Sequence, residues 1–133
     1  MRNKRGILTV VLIVAALAAL AGVIVKVRLE NNLTELAGMA LTEIDLTKIS
    51  DGVYSGSYKV FPVAAQVRVT VAGHRITGIE MVEHKNGRGA AAEVIPAKVT
   101  EAQSLQVEAV SGATYSSKVI LKAIEAALGG AAE

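Results

Sequence analysis

The chain has no cysteine and no tryptophan, only two prolines and two histidines, and four aromatic residues in 133. Without cysteine there can be no disulfide framework, no thiolate metal site and no cysteine-ligated iron–sulfur cluster. A cysteine-free chain suits either side of a membrane. The aromatics are Tyr54, Tyr58, Phe61 and Tyr115, and no basic stripe interleaves with them. From Leu29 onward nine Lys and Arg stand against twelve Asp and Glu, a net −3, so the formal +2 of the whole chain comes from its first residues. That balance argues against nucleic-acid binding. The acids form no catalytic pair, no Ser-His-Asp set is present, and His74 falls in a turn signal where solvation explains it.

The longest uncharged run is Ile7 to Val25, nineteen residues interrupted only by Thr9 and Gly22 among apolar side chains. As a helix it measures about 28 Å, enough for a bilayer core. Residues 7–25 are therefore expected to be a transmembrane helix. Arg2, Lys4 and Arg5 precede it, while Lys26 and Arg28 follow with Glu30 beside them. The basic excess predicts that residues 1–6 are cytoplasmic and that the rest lies outside, in the cell membrane with a single pass. A cleaved signal peptide is the competing reading, because Ala15 to Gly22 supplies small residues; its apolar region is longer than such peptides usually carry.

Residues 26–50 continue with mixed helical spacing, Leu29, Leu33, Leu36, Ala37, Ala40, Leu41 and Ile44 recurring every three or four positions. This predicts a juxtamembrane amphipathic segment that extends the anchor until Asp45 to Asp51. One domain then occupies residues 51–130. Val53 to Val60 reads as a strand stopped by Phe61-Pro62. In Gln66 to Ala72, Val67, Val69 and Val71 alternate with Gln66, Arg68 and Thr70, so one face is buried. Ala72-Gly73-His74 turns the chain back into Arg75 to Glu83, an antiparallel neighbour with a bulge expected at Gly78. Pro96 fits the first turn of a helix that carries Val99 and Ala102. Leu105, Val107 and Ala109 alternate with Gln106 and Glu108 and predict a fourth strand. The fold expected is α+β: a transmembrane helix, then a small antiparallel sheet packed against helices on one side.

The densest stretch is VSGATYSSKVILKAIEAAL, Val110 to Leu128. Val119, Ile120, Ala123, Ile124, Ala127 and Leu128 share one helical face, and Lys118, Lys122 and Glu125 take the other. Ser111, Thr114, Ser116 and Ser117 are all candidate N-caps. Free N–H groups at a helix start, with the positive end of its dipole, also accept phosphate; Gly112 permits close approach and Lys118 can add a cation. A cap alone explains the same hydroxyls.

Ser111-Gly112-Ala113-Thr114, followed by Tyr115-Ser116-Ser117-Lys118, resembles the SGAT signature of the FMN-binding domain family. The likeness runs from Asp51 to Leu128 and includes Asp51-Gly52-Val53-Tyr54-Ser55-Gly56, Ala72-Gly73-His74-Arg75-Ile76, Glu83-His84, Ala102-Gln103-Ser104 and Ala109-Val110. That domain recurs in sodium-pumping NADH:quinone reductases, Rnf-type complexes and small membrane-anchored flavoproteins. There the threonine closing SGAT can be esterified to the phosphate of FMN by a flavin transferase that uses FAD. By position it is Thr114. The family usually has an aspartate six residues earlier, where this chain has Glu108. Larger members carry an ETPG-like loop after the histidine position, where this chain has Lys85-Asn86-Gly87-Arg88-Gly89.

The resemblance implies FMN as cofactor, with Thr114, Ser111, Gly112, Ala113, Tyr115, Ser116, Lys118 and His84 as the residues that bind it. Tyr115 is the best placed to stack, and Lys85 or Arg88 to favour a reduced, anionic flavin. It implies an electron carrier or redox-complex subunit rather than a stand-alone enzyme, with the bilayer, a flavin transferase and membrane redox partners around it. Noncovalent FMN binding at the same site is one alternative. A flavin-free anchored interaction module, with SGAT as a mere cap, is the other.

Overall fold

The computed structural model describes residues 3–85 and 90–131. Its first element is one 35-residue helix, α1 (Lys4–Gly38). The apolar run makes it long and apolar enough to cross a membrane, and none of that stretch packs against the rest of the chain. Only its far end is buried: Leu36 is fully covered, against α3 and β1.

The helix stops at Gly38, before the expected end of the juxtamembrane segment. Glycine is among the residues least favoured in a helix interior, and beyond it the chain takes an extended path along the core. Met39, Leu41 and Ile44 pack there. The Thr42 N–H donates to the Glu125 carboxylate (3.2 Å), and the Leu41 carbonyl accepts from Gln106 Nε2 (3.5 Å). A 3₁₀ turn at Leu46–Lys48 is capped by Asp45, which accepts from the Thr47 N–H and hydroxyl.

Three strands come next, β1 (Gly52–Val60), β2 (Val63–Ala72) and β3 (Arg75–Lys85), in an antiparallel sheet of order β1-β2-β3. Val67, Val69 and Val71 are buried, as the alternation predicts, and so are Val63 and Ala65. The strand begins three residues earlier than expected because the small side chains of Ala64 and Ala65 conceal its period. Thr70 faces Gly78 while Val71 faces Ile76, which leaves Thr77 unmatched and puts a bulge beside Gly78. A second register shift falls between Gln66 and Val67.

Helix α2 (Ile95–Ala102), with Pro96 in its first turn, follows a 3₁₀ turn at Ala90–Val94 and packs on β3; α3 (Thr114–Ala131) lies across β1 and β2. All six residues assigned to the inner face of α3 are buried, and so is Leu121. The helix touches β1, β2, α1, α2 and the 90–94 turn, so more than one side of it is covered.

The fourth strand is absent. Leu105 is buried and Gln106 and Glu108 are exposed, so side chains alternate as in a strand, but the backbone does not join the sheet. The reason lies at the edge of β3. Gln103, in a left-handed conformation (φ 52°), places its side-chain amide against Ile76, accepting from its N–H and donating to its carbonyl, both at 2.8 Å. It also donates to the Thr100 carbonyl at 2.6 Å. A side chain thus takes ladder groups that another strand would use. Gln103→Ala is expected to cost about 2 kcal/mol by stranding these partly buried groups, seen as a lower urea midpoint with an unchanged slope.

Candidate functional site

The sheet, α2 and α3 together expose one specialised feature, the start of α3. Val110 to Ala113 form a tight turn closed by Ala113 N–H donating to the Val110 carbonyl (2.9 Å), with Gly112 at φ +79°. Left-handed backbone at the third turn position is the type II pattern that favours glycine. Ser117 locks this turn from inside the helix. Its hydroxyl is fully buried, accepts from the Val110 N–H (3.0 Å) and donates to the Ala113 carbonyl (2.8 Å). Ser117→Ala leaves the Val110 N–H without its partner and is expected to cost about 1–3 kcal/mol, measurable by thermal unfolding.

The residue before the helix is Ala113, which has no side-chain oxygen, so none of the candidate caps Ser111, Thr114, Ser116 and Ser117 occupies the capping position and the first N–H groups of the helix stay open. Among the described residues, nothing accepts from the N–H of Thr114, Tyr115 or Ser116. Three unpaired donors at the positive end of an 18-residue helix are an arrangement able to accept an anion. Thr114 is exposed beside them, Tyr115 is 40% exposed, and Ser111 and Gly112 lie open in the turn. Ala113 and Ser116 are buried and shape the site from below. The Lys118 ammonium donates to the Met39 carbonyl (3.2 Å), so this cation holds the end of α1 to α3.

His84 lies on β3 opposite Ala65. Its side chain is only 2% exposed; Nδ1 is 3.2 Å from Glu93 Oε1, and Nε2 is buried with no hydrogen-bond partner among the described residues. Buried polar atoms without partners are rare because each costs about 1–3 kcal/mol. Glu93 gave no signal in the sequence, since its pairing joins β3 to the 90–94 turn. Lys85 is exposed and paired with Glu83 (3.5 Å). Asn86 to Gly89, including Arg88, lie outside the described residues. His74, with φ +60°, has Nδ1 3.3 Å from the Leu46 carbonyl.

Both features lie at one end of the domain. Leu128 of α3 lines a small cavity with Ile76, Ala123 and Ala127 cross Gly56, and Lys122 sits 6.0 Å above the Tyr58 ring. Traced backwards, α3 therefore runs from the β2–β3 hairpin towards the Val60–Val63 turn, and Thr114 begins at that turn's end. His84, opposite Ala65, is on the same end of the sheet.

The model of the FMN-binding domain family matches residues 63–129, half of the chain. The chain belongs to this family. FMN is accordingly its cofactor, and the open helix start and the His84 Nε2, without a partner among the described residues, fit a ligand with a phosphate and a polar ring. The match begins at β2, so β1, which completes the sheet, stands before it. The chain is also 33% identical over 81 residues to an uncharacterized protein of Treponema pallidum (strain Nichols), an alignment covering 59% of this chain and 22% of that protein. The chain thus spans about a fifth of the relative's length. An FMN-binding domain behind a long apolar helix fits a membrane-anchored FMN-binding protein.

Proposed function

We propose that this protein is a single-pass, membrane-anchored electron carrier whose FMN is joined by a phosphoester to Thr114. The observation that carries this reading is the exposed Thr114 side chain beside three unpaired N–H groups, in the SGAT sequence of an FMN-binding domain. With FAD as donor, the Thr114 Oγ1–phosphorus bond forms, the pyrophosphate bond breaks, AMP leaves and the hydroxyl proton is released. The helix start then holds the phosphate, with Ser111, Gly112 and Ala113 forming the turn around it. Tyr115 offers a ring at the surface, and His84, held by Glu93, would present Nε2 to the flavin only by turning out of its buried position. Bound FMN supplies acceptance and release of one or two electrons.

Residues 51–130 form the flavin domain in this reading, outside the cytoplasm, as Arg2, Lys4 and Arg5 suggest. A covalent tether prevents cofactor loss there. A flavin transferase and membrane redox partners are the implied associates. Glu108, exposed where the family usually has aspartate, favours noncovalent FMN as the second reading. Intact mass of the chain co-produced with a flavin transferase tests the first. A gain of one FMN less water, mapped to the Thr114 peptide, is expected; an unchanged mass with flavin released on denaturation would instead establish the second.

A further inference from the structure

We infer that the cofactor end of the domain is held facing the bilayer surface. The inference rests on the reading of α1 as a membrane anchor, and it comes from the path of the chain where α1 meets the domain. Met39, just past the helix, accepts from the Tyr58 hydroxyl through its sulfur (3.2 Å) and from Lys118 through its carbonyl. Towards the N-terminus, Asn32, Glu35 and Leu36 line a cleft with Val60 and Phe61. Met39 and Tyr58 line the same cleft, so the last turns of α1 lie along the end of β1 that leads to Phe61. The helix leaves the domain beyond the Val60–Val63 turn, at the end where α3 starts and His84 lies.

The segment after Met39 agrees with that direction. It runs the other way, from Lys118 past Glu125 to the hairpin, where the Leu46 carbonyl meets His74. The helix is continuous from the apolar run to Leu36, and full burial of Leu36 with the Lys118 bond ties its last turn to the domain. Asn32 is seven residues past Val25, about 10 Å along the axis. A headgroup layer occupies roughly 5–7 Å of that. The Phe61-Pro62 turn therefore stands just above the lipid surface, with Phe61 63% exposed on it. The hairpin end points away. A flavin on Thr114 is then nearer to a redox partner in the membrane plane than to one in bulk solution.

The absence of tryptophan provides the test. Phe61→Trp and Val53→Trp each create a single tryptophan, excited apart from the three tyrosines, just past the end of β1 and near its start, at positions 63% and 58% exposed. The two are eight residues apart, about 26 Å along an extended chain. The full chain is reconstituted into phosphatidylcholine vesicles carrying headgroup-dansylated phosphatidylethanolamine in both leaflets, so that the direction of insertion does not matter. Several-fold stronger energy transfer from position 61 than from position 53 is expected. Equal transfer, or stronger transfer from 53, in vesicles that carry the protein on flotation would overturn the orientation and leave the anchor standing. Failure to float with the vesicles would overturn the anchor reading and the orientation together.

Discussion

Gly56→Val is expected to unfold the domain. Gly56 is a core-facing position of β1, and α3 crosses directly over it. A Cβ there would be driven into the Ala123 carbonyl oxygen and the Ala127 nitrogen and would lie 2.8 Å from the Ala127 Cα. All three are backbone atoms of one helix, so no rotamer change relieves the clash and α3 must lift as a body. Overpacking ordinarily costs about 1–3 kcal/mol. Here the lift also loosens the seat of Ile120, Ile124 and Leu128, which are fully buried, each worth about 1.5–3 kcal/mol of burial. Replacing a strand glycine recovers only about 0.5–1 kcal/mol of backbone entropy. Against a domain stability of about 5–15 kcal/mol, Gly56→Ala should lower the unfolding midpoint strongly and the valine variant should leave no cooperative transition. Gly78→Ala, where an added Cβ meets nothing within 4 Å, is the matched control and should unfold close to the parent. A Gly56→Val protein that melts with the parent would mean that α3 does not cross β1 at this point.

The same crossing explains what the sequence could and could not convey. Period-two valines in β2 and period-3.6 apolar residues in α3 each report their own burial, because burial of a regular element is a local pattern. Gly56 sits in a strand rich in small and polar residues, and nothing local tells a glycine under a helix from one in a loose strand. Segment 104–110 shows the opposite failure. Its alternation is real, but pairing depends on a free sheet edge, and Gln103 already occupies the Ile76 groups. The extended path after Gly38 was hidden for a related reason: Leu41 and Ile44 are spaced as on a helix, yet they pack on the core from an irregular segment whose Thr42 N–H is held by α3. At the site, hydroxyls and the SGAT order were legible, whereas the division of labour among them was not. Ser117 closes the turn and Lys118 ties down Met39, and both assignments depend on partners remote from the helix start or folded back on it.

That division makes Thr114→Ala a clean experiment, and its expected result is complete loss of covalent FMN from a folded protein. Thr114 is exposed, and no side-chain hydrogen bond among the described residues uses it. Surface substitutions without such ties stay within about 0.5 kcal/mol, so the thermal midpoint should scarcely move while the mass gain vanishes. Ser117→Ala should do the reverse. It weakens the turn but keeps the Thr114 hydroxyl, so labelling should persist wherever the domain remains folded. The two variants together separate loss of the acceptor from loss of the fold. Glu108→Asp adds the third arm, because this exposed acid stands six residues before Thr114. A transferase that reads the shorter side chain should label the aspartate variant faster than the parent, with no change in stability. Flavin still bound through a denaturation-resistant link in Thr114→Ala would move the attachment to another hydroxyl, and Ser111, exposed in the same turn, would be the next residue to replace.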